Sequence, residues 1–109
     1  MQSEATLDRT FRALGDRTRR AMIRELSAHE WRSAGELGSK FHSAQPTISK
    51  HLKVLEEAEL IERAVEGRVH RFRLRGAQLQ TAADWIERHR QLWTGAVDQL
   101  DRLLKEQER

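Results

Sequence analysis

The stretch AQPTISKHLKVLEEAELI, residues 44–61, decides the fold of this chain. Ile48, Leu52 and Leu55 recur at spacings of four and three, which places them on one face of a helix. Pro46 suits the first turn of that helix, because its missing N–H would have no intrahelical partner there. The stretch therefore predicts a helix whose apolar face packs against a core.

The opposite side of this helix carries short hydrogen-bonding side chains near its start and lysines further along. A step of about 100° per residue turns these side chains away from the apolar face, and one histidine flanks that face. Such a polar side is either merely solvated, or it meets base edges and phosphates. The predicted DNA contacts on this helix are Gln45, Thr47, Ser49, Lys50, His51 and Lys53.

The segment ATLDRTFRALGDRTRRAMIRELSA, residues 5–28, predicts two helices divided near Gly15, with Asp16 as the N-cap of the second. A third short helix is predicted after Ser33, because Glu36 three residues later completes a capping box. The predicted apolar faces of the first two helices are Leu7, Phe11 and Leu14, and Met22, Ile23 and Leu26.

A β-hairpin is predicted after the fourth helix. Leu60 to Val65 forms its first strand, Glu66 and Gly67 its turn, and alternation of His70, Phe72 and Leu74 with charged neighbours its second strand. Short helices followed by a two-stranded hairpin are the order of a winged helix-turn-helix. The predicted fold class is therefore mainly α with a small β-hairpin (α+β).

A long helix is predicted from Ala77 to about Gln107, within a single domain that spans residues 1–109. Residues 7–75 would form the helices and wing, and residues 76–107 a dimerisation helix. Two apolar rows run along that helix, so one row can face its own domain and the other a partner helix. The predicted dimer contacts are Phe11, Trp85, Leu92, Trp93 and Leu100.

The composition conceals two basic segments within a net charge of only +3. Residues 9–24 hold six Arg and one Asp, and residues 68–75 hold four Arg and no acid, which is typical of a polyanion binder. Arg68 and Arg71 are the hairpin's predicted phosphate contacts. No apolar run of membrane-spanning length or signal peptide is evident, so a cytoplasmic location without membrane association is expected.

Three segments carry a resemblance to a known family. FRALGDRTRRAMIREL (residues 11–26), the stretch at residues 44–61, and EGRVHRFRL (residues 66–74) resemble the ArsR-type winged-helix repressors of bacteria and archaea. The resemblance covers residues 7–75 well and the long C-terminal helix more loosely.

The resemblance implies a C2 homodimer, joined through the first and last helices, that binds a palindromic operator on double-stranded DNA. It implies repression until an effector, which the sequence does not identify, releases the protein. Carried over to this chain, it places Gln45, Thr47, Ser49, Lys50 and His51 against DNA and Arg68 at the wing tip.

Departures from the family bear on metal sensing. The chain has no cysteine, and Ser33 and Gly35 stand where metal-sensing members carry a Cys-x-Cys pair. Thiolate sensing of soft metals is thereby excluded. The zinc-sensing pairs are incomplete as well, because Ile86 follows Asp84 two places later and Leu92 follows His89 three places later. The sequence therefore predicts a regulator without a metal site or a cofactor. The alternative is a repressor that senses a metal through His and carboxylate ligands.

Two other classes compete with a DNA-binding regulator. An enzyme is not predicted, because no Ser-His-acid pattern, phosphate-binding glycine loop or paired buried acids appear in the sequence. A protein-interaction module that dimerises without binding DNA is the second alternative. The basic hairpin favours a DNA-binding regulator over such a module. The test is salt dependence, since DNA binding through the hairpin would weaken steeply as the salt concentration rises.

Overall fold

The computed structural model describes residues 4–107, so the remaining residues of the predicted domain 1–109 lie outside the described residues. Five helices and three short strands follow one another along the chain. Their bounds are α1 Glu4–Leu14, α2 Arg17–Ala28, β1 Arg32–Ser33, α3 Ala34–Phe41, α4 Gln45–Glu57, β2 Ile61–Glu66, β3 Val69–Leu74 and α5 Gly76–Gln107.

Both predicted side-chain caps are present. Asp16 Oδ2 accepts a hydrogen bond from the backbone N–H of Arg19 at 3.0 Å, which satisfies one of the free amides at the start of α2. At the start of α3 the Ser33 hydroxyl accepts from the Glu36 N–H at 3.1 Å, and Glu36 Oε1 accepts from the Ser33 N–H at 3.0 Å. The predicted capping box is confirmed.

The capping box makes stability depend on pH. Hydrogen bonds from the Ser33 backbone and from Arg32 lower the pKa of Glu36 from 4.5 to about 2. A lowered pKa stabilises the fold while the carboxyl stays ionised, so this contribution is complete above pH 4.5 and is lost as the pH falls toward 2. The thermal midpoint should therefore fall across that range, and Glu36→Gln should make the fall shallower. Equal slopes for the two proteins would contradict this assignment.

A matched control is available nearby. Glu30 is exposed and accepts no hydrogen bond from any residue in the described part of the chain. Glu30→Gln should therefore alter the acid dependence less than Glu36→Gln does. Asp16 and Glu87 also have lowered pKa values, chiefly because of hydrogen bonds from the Arg19 backbone and the Arg90 side chain, and they contribute to the residual dependence in the Glu36 variant.

The core lies between α2, α3, α4 and the inner face of the sheet. The predicted apolar face of α4 is confirmed, since Ile48, Leu52 and Leu55 are all buried. The other large buried apolar side chains are Met22, Leu26, Leu37, Leu60, Ile61 and Phe72. The polar side of α4 is thereby turned outward, because its opposite side is held in the core.

The predicted buried face of α1 is wrong in part. The buried residues of α1 are Thr10 and Ala13, whereas Phe11 remains 36% exposed. The reason is the position of α5, because the Phe11 ring turns toward Trp85 with 5.8 Å between the ring centroids. Thr10 tolerates burial because its hydroxyl donates to the carbonyl of Thr6 at 3.0 Å.

The sheet differs from the predicted two-stranded hairpin in two ways. It has three antiparallel strands in the order β1-β3-β2, with Arg32 opposite Phe72. A strand of two residues is too short to show a periodic pattern, which is why β1 was not predicted. The turn also lies one residue later than predicted, because Glu66 pairs with Val69 and only residues 67–68 connect the strands.

Helix α5 confirms the predicted long C-terminal helix and begins one residue earlier, at Gly76. Its 32 residues span about 48 Å at 1.5 Å per residue. The N-terminal part packs against α1, whereas every residue from 91 to 107 is exposed in the single chain. No helix among residues 4–107 is long and apolar enough to cross a membrane.

Candidate nucleic-acid interface

Helices α3 and α4 form the helix-turn-helix. Residues 42–44 connect them, and His42 takes the left-handed conformation (φ 51°) that ends α3. The buried Gly38 of α3 faces the start of α4, where a methyl group on Gly38 would collide with the Gln45 side-chain amide. The Gln45 side chain, a predicted base contact, therefore rests over α3 while the residue stays exposed.

The outward side of α4 is open. Thr47, Ser49, Lys50 and Lys53 are all exposed, as the helical pattern predicted. Neither lysine forms an ion pair with any residue between 4 and 107. Ser49 lies toward the wing, because it lines a cleft together with residues of β3. The N-terminal half of α4 thus presents hydroxyls and uncompensated positive charge.

The side chain of His51 does not lie on the open, outward side of α4. Its side chain is only 17% exposed, with Nδ1 at 3.3 Å from Arg19 Nη1 and 3.9 Å from Asp16 Oδ2. Arg19 in turn donates to the carbonyl oxygens of Ala13 at 2.7 Å and Arg12 at 3.0 Å. His51 therefore links α4 to the start of α2, a packing role that its position beside the apolar face had suggested only indirectly. Its contact with DNA stays a prediction.

The wing tip consists of the turn at residues 67–68. Gly67 adopts a φ of 61°, a conformation that glycine takes without steric cost. Arg68 follows it, is exposed, and forms no ion pair or hydrogen bond with any residue in the described range. A free guanidinium therefore stands at the end of the hairpin.

The other arginines of the hairpin lie near carboxylates, so their charges are less free to contact a ligand than their number in the sequence suggested. Arg73 forms an ion pair with Glu62, its partner in the strand register, and Arg71 Nε lies 3.9 Å from Glu66 Oε2. Arg75 Nε lies 4.0 Å from the Glu62 carboxylate. Residues 68–75 hold no acid of their own, but β2 supplies acids across the sheet, so three of these four arginines lie near a carboxylate. The phosphate contact assigned to Arg71 stays a prediction.

A cleft of about 480 Å³ separates the wing from the helix-turn-helix. Its walls include Ser49 and Leu52 from α4 and Arg68, His70 and Phe72 from the wing. Arg63 of β2 also lines the cleft and was missed from the sequence. Its position opposite Phe72 in the β2–β3 register is the signal that would have found it.

The predicted dimer residues fall on one side of α5 and the adjoining face of α1. The Trp85 ring stacks on His89 at 4.1 Å and meets Trp93 edge-on at 6.1 Å. Leu92 is 68% exposed and Leu100 57%. Phe11 and Trp85 thus pack against each other within one chain, whereas the predicted residues further along α5 stay uncovered.

Among residues 4–107, no three His, Asp or Glu side chains are placed to share one metal ion. One grouping of such residues joins α2, β1 and α3 around the Arg32 guanidinium. Arg32 Nη1 donates to Glu36 at 2.6 Å, and Arg32 Nη2 lies 2.9 Å from His29 Nε2. A cation of the protein itself occupies that position, and the predicted absence of a metal site stays a prediction.

A helix-turn-helix followed by a hairpin with a free arginine at its tip defines the class of winged-helix DNA-binding proteins. The helix-turn-helix domain family matches residues 14–64. Transcriptional repressor SdpR of Bacillus subtilis (strain 168) is 30% identical over 80 residues, which cover 73% of this chain and 88% of that protein.

Further relatives agree with this class. HTH-type transcriptional regulator Rv2034 of Mycobacterium tuberculosis (strain ATCC 25618 / H37Rv) is 41% identical over 61 residues, 56% of each chain. The solved structure of an ArsR-like transcriptional regulator from Rhodococcus sp. RHA1 has a TM-score of 0.78 at 30% identity, and the match covers 94% of this chain and 93% of that one. The chain belongs to the ArsR family of transcriptional regulators, and it is a DNA-binding transcriptional regulator.

Proposed function

We propose that the protein is a cytoplasmic homodimeric repressor that binds a palindromic operator. In this proposal each α4 enters a major groove, and each wing tip meets the adjacent backbone or minor groove. The observation that carries it is the joint exposure of Ser49, Lys50 and Arg68 along one surface, without acidic partners among the described residues. Hydroxyls at the helix start would read base edges, and the cations would contact phosphates.

The second half of α5 supports the homodimer. Its apolar side chains line one side of the helix for about four turns beyond the domain core, and all are more than half exposed. A second copy presents the same row, so two such helices bury each other's apolar surface around a twofold axis. The row comprises Leu92, Trp93, Val97, Leu100, Leu103 and Leu104.

The twofold symmetry of the proposed dimer matches the symmetry of a palindromic operator. A twofold axis through α5 would present two copies of α4 in opposite orientations, which matches inverted half-sites about one helical turn apart. Repression is proposed because the relative from Bacillus subtilis is itself named a repressor. No catalytic role is proposed, since the exposed groups of α4 and the wing are suited to holding a duplex.

Substitution at the wing tip tests the phosphate contact. Arg68→Ala should weaken binding to all duplex DNA by about the same factor and lower the slope of log affinity against log salt by roughly one. Arg75→Ala is the matched control, because it removes an arginine that already lies near Glu62. Fluorescence anisotropy at several salt concentrations gives both slopes, and equal slopes for Arg68→Ala and the unmodified protein would refute the wing contact.

Substitution on α4 tests base reading. Thr47→Ala combined with Ser49→Ala should reduce the preference for operator over random duplex by about thirtyfold or more, because two base contacts worth about 1–3 kcal/mol each are lost. Nonspecific binding should keep its salt dependence, since both lysines of α4 remain. The measurement is competition between an operator, selected from a random pool by the unmodified protein, and a scrambled duplex. An unchanged preference would show that α4 does not read bases through these hydroxyls.

A further inference from the structure

Arg63 connects the wing to the recognition helix α4. It lies on β2, and its guanidinium donates through Nε to Glu56 Oε2 at 3.2 Å and through Nη2 to Glu56 Oε1 at 2.5 Å. Glu56 belongs to the last turn of α4. Two parallel hydrogen bonds hold both the distance and the plane of such a pair, so the contact restricts the angle between β2 and α4.

The same guanidinium is also held from β3. Its Nη1 lies 2.8 Å from His70 Nδ1, and its central carbon lies 4.9 Å from the centre of the Phe72 ring. An arginine nitrogen is always a donor, so His70 Nδ1 is the acceptor of this hydrogen bond. Phe72 is itself buried in the core. We call Arg63, Glu56, His70 and Phe72 the wing clamp.

Backbone pairing of β1 with β3 holds the wing as far as Arg71 and Phe72, and beyond that level the angle of the wing also depends on side-chain contacts. Residues 58–60 alone separate α4 from β2, and Glu59 takes the left-handed conformation at φ 59°. The Leu60 N–H donates to the carbonyl of Leu55 at 3.0 Å, which anchors the base of the wing. The tip at Arg68 lies five residues beyond Arg63 on the hairpin, and the cleft separates it from α4. The clamp is therefore placed between the anchored base and the free tip.

We propose that Arg63 is a positioning residue, which holds the wing at the angle that lets α4 and Arg68 engage one duplex at the same time. This inference rests on the proposed function, in which α4 and the wing tip contact the same DNA. A wing released from the clamp samples other angles, and the affinity falls in proportion to the fraction of molecules that keep the competent angle. Exposed ion pairs contribute little to stability, so folding should be affected much less than DNA binding.

The effect of Glu56→Gln on DNA affinity has opposite signs for the two explanations, a change of overall charge and a loss of wing positioning. Removal of an acid from a DNA-binding protein strengthens binding when only the overall electrostatic attraction changes. Weakening of the clamp weakens DNA binding, because the glutamine side chain keeps one acceptor for Arg63 but places an NH2 donor where the second acceptor was. The matched control is Glu62→Gln, which removes the same charge from the partner of Arg73 on the other face of the wing. We expect binding about threefold weaker for Glu56→Gln, and unchanged or stronger binding for Glu62→Gln.

A second pair of variants distinguishes the loss of the clamp from a general effect on folding. Arg63→Met keeps an unbranched stem over Phe72 but loses every hydrogen bond, and Arg73→Met removes the matched arginine on the opposite face. On a duplex selected from a random pool by the unmodified protein, Arg63→Met should bind about fivefold more weakly. Hydroxyl-radical protection at the wing-contacted ends should be lost, while guanine methylation protection under α4 persists. Arg73→Met should change the affinity less than twofold.

The outcomes separate the two hypotheses. If Arg68→Ala weakens binding but Glu56→Gln does not, or if Arg63→Met and Arg73→Met behave alike, the clamp is overturned and the proposed function stands. If Arg68→Ala has no effect on affinity, the wing does not contact DNA, and both the wing contact and the clamp are overturned. Weaker binding by Glu56→Gln and Arg63→Met, with selective loss of the wing footprint, supports the clamp.

Discussion

Replacement of Trp93 by glutamate should give a protein that sediments as a monomer and binds palindromic DNA about a hundredfold more weakly, or worse. Trp93 is 52% exposed in the single chain, beside Val97 and Leu100, which are exposed to a similar degree. In the proposed dimer these side chains are buried against the second copy. Glutamate would remove the indole surface and place a charge within the apolar row of α5.

The size of this effect follows from symmetry. Loss of a buried tryptophan costs about 3–5 kcal/mol, and a twofold interface contains the substitution twice. A loss of about 6 kcal/mol raises the dimer dissociation constant by roughly 10⁴. Each half-site is then bound by an independent monomer, and the gain from linking two binding domains disappears.

Gln91→Glu is the matched control, since Gln91 lies on the opposite, polar side of α5 and is also exposed. It adds the same charge and should leave both the dimer and the DNA affinity nearly unchanged. Analytical ultracentrifugation at micromolar concentration measures the oligomeric state, and fluorescence anisotropy measures the DNA affinity. A stable dimer of the Trp93 variant would refute the α5 interface.

Phe72→Ala should lower the free energy of unfolding by about 3–5 kcal/mol. Phe72 is 1% exposed on the central strand β3, opposite Arg32 of β1 and Arg63 of β2. The sheet has no second large apolar side chain at the middle of that strand, so the cavity would open between the sheet and α4. Because small domains have total stabilities of about 5–15 kcal/mol, this loss is large enough to unfold part of the population at 37 °C.

Phe72→Leu provides the comparison, because it keeps an apolar side chain of related size and should cost less than about 1.5 kcal/mol. Val69→Ala, at a position that is 42% exposed on the same strand, should cost less still. Urea unfolding followed by tryptophan fluorescence gives all three values. Equal midpoints for Phe72→Ala and Val69→Ala would show that the sheet does not share a core with α4.

Much of the fold follows from short-range pattern. The Asp16 cap and the Ser33–Glu36 capping box involve residues three apart, and the apolar face of α4 repeats within two turns. Interactions of this kind are readable because the partners lie close together in the chain. The free tip at Arg68 was predicted within one residue for the same reason, since a glycine turn between alternating strands is a local signal.

The candidate site was predicted less completely. The exposed side of α4 was placed correctly, but His51 contacts Arg19, 32 residues earlier in the chain. No local pattern links those two positions, because their contact depends on how α2 packs across α4. A side chain at the edge of an apolar face therefore turned inward, where the helical pattern had left it beside the predicted DNA contacts.

By itself, the sequence determined the helices and their caps, the apolar face of α4, the long α5 and the absence of thiol chemistry. The tertiary structure alone decided which charges remain free. Antiparallel register sets Glu62 against Arg73, and the wing packs Arg63 onto Glu56, so arginines that look alike along the chain differ in their availability. The physical reason is that an ion pair depends on distance in space, which strand register and helix packing set for residues far apart in sequence.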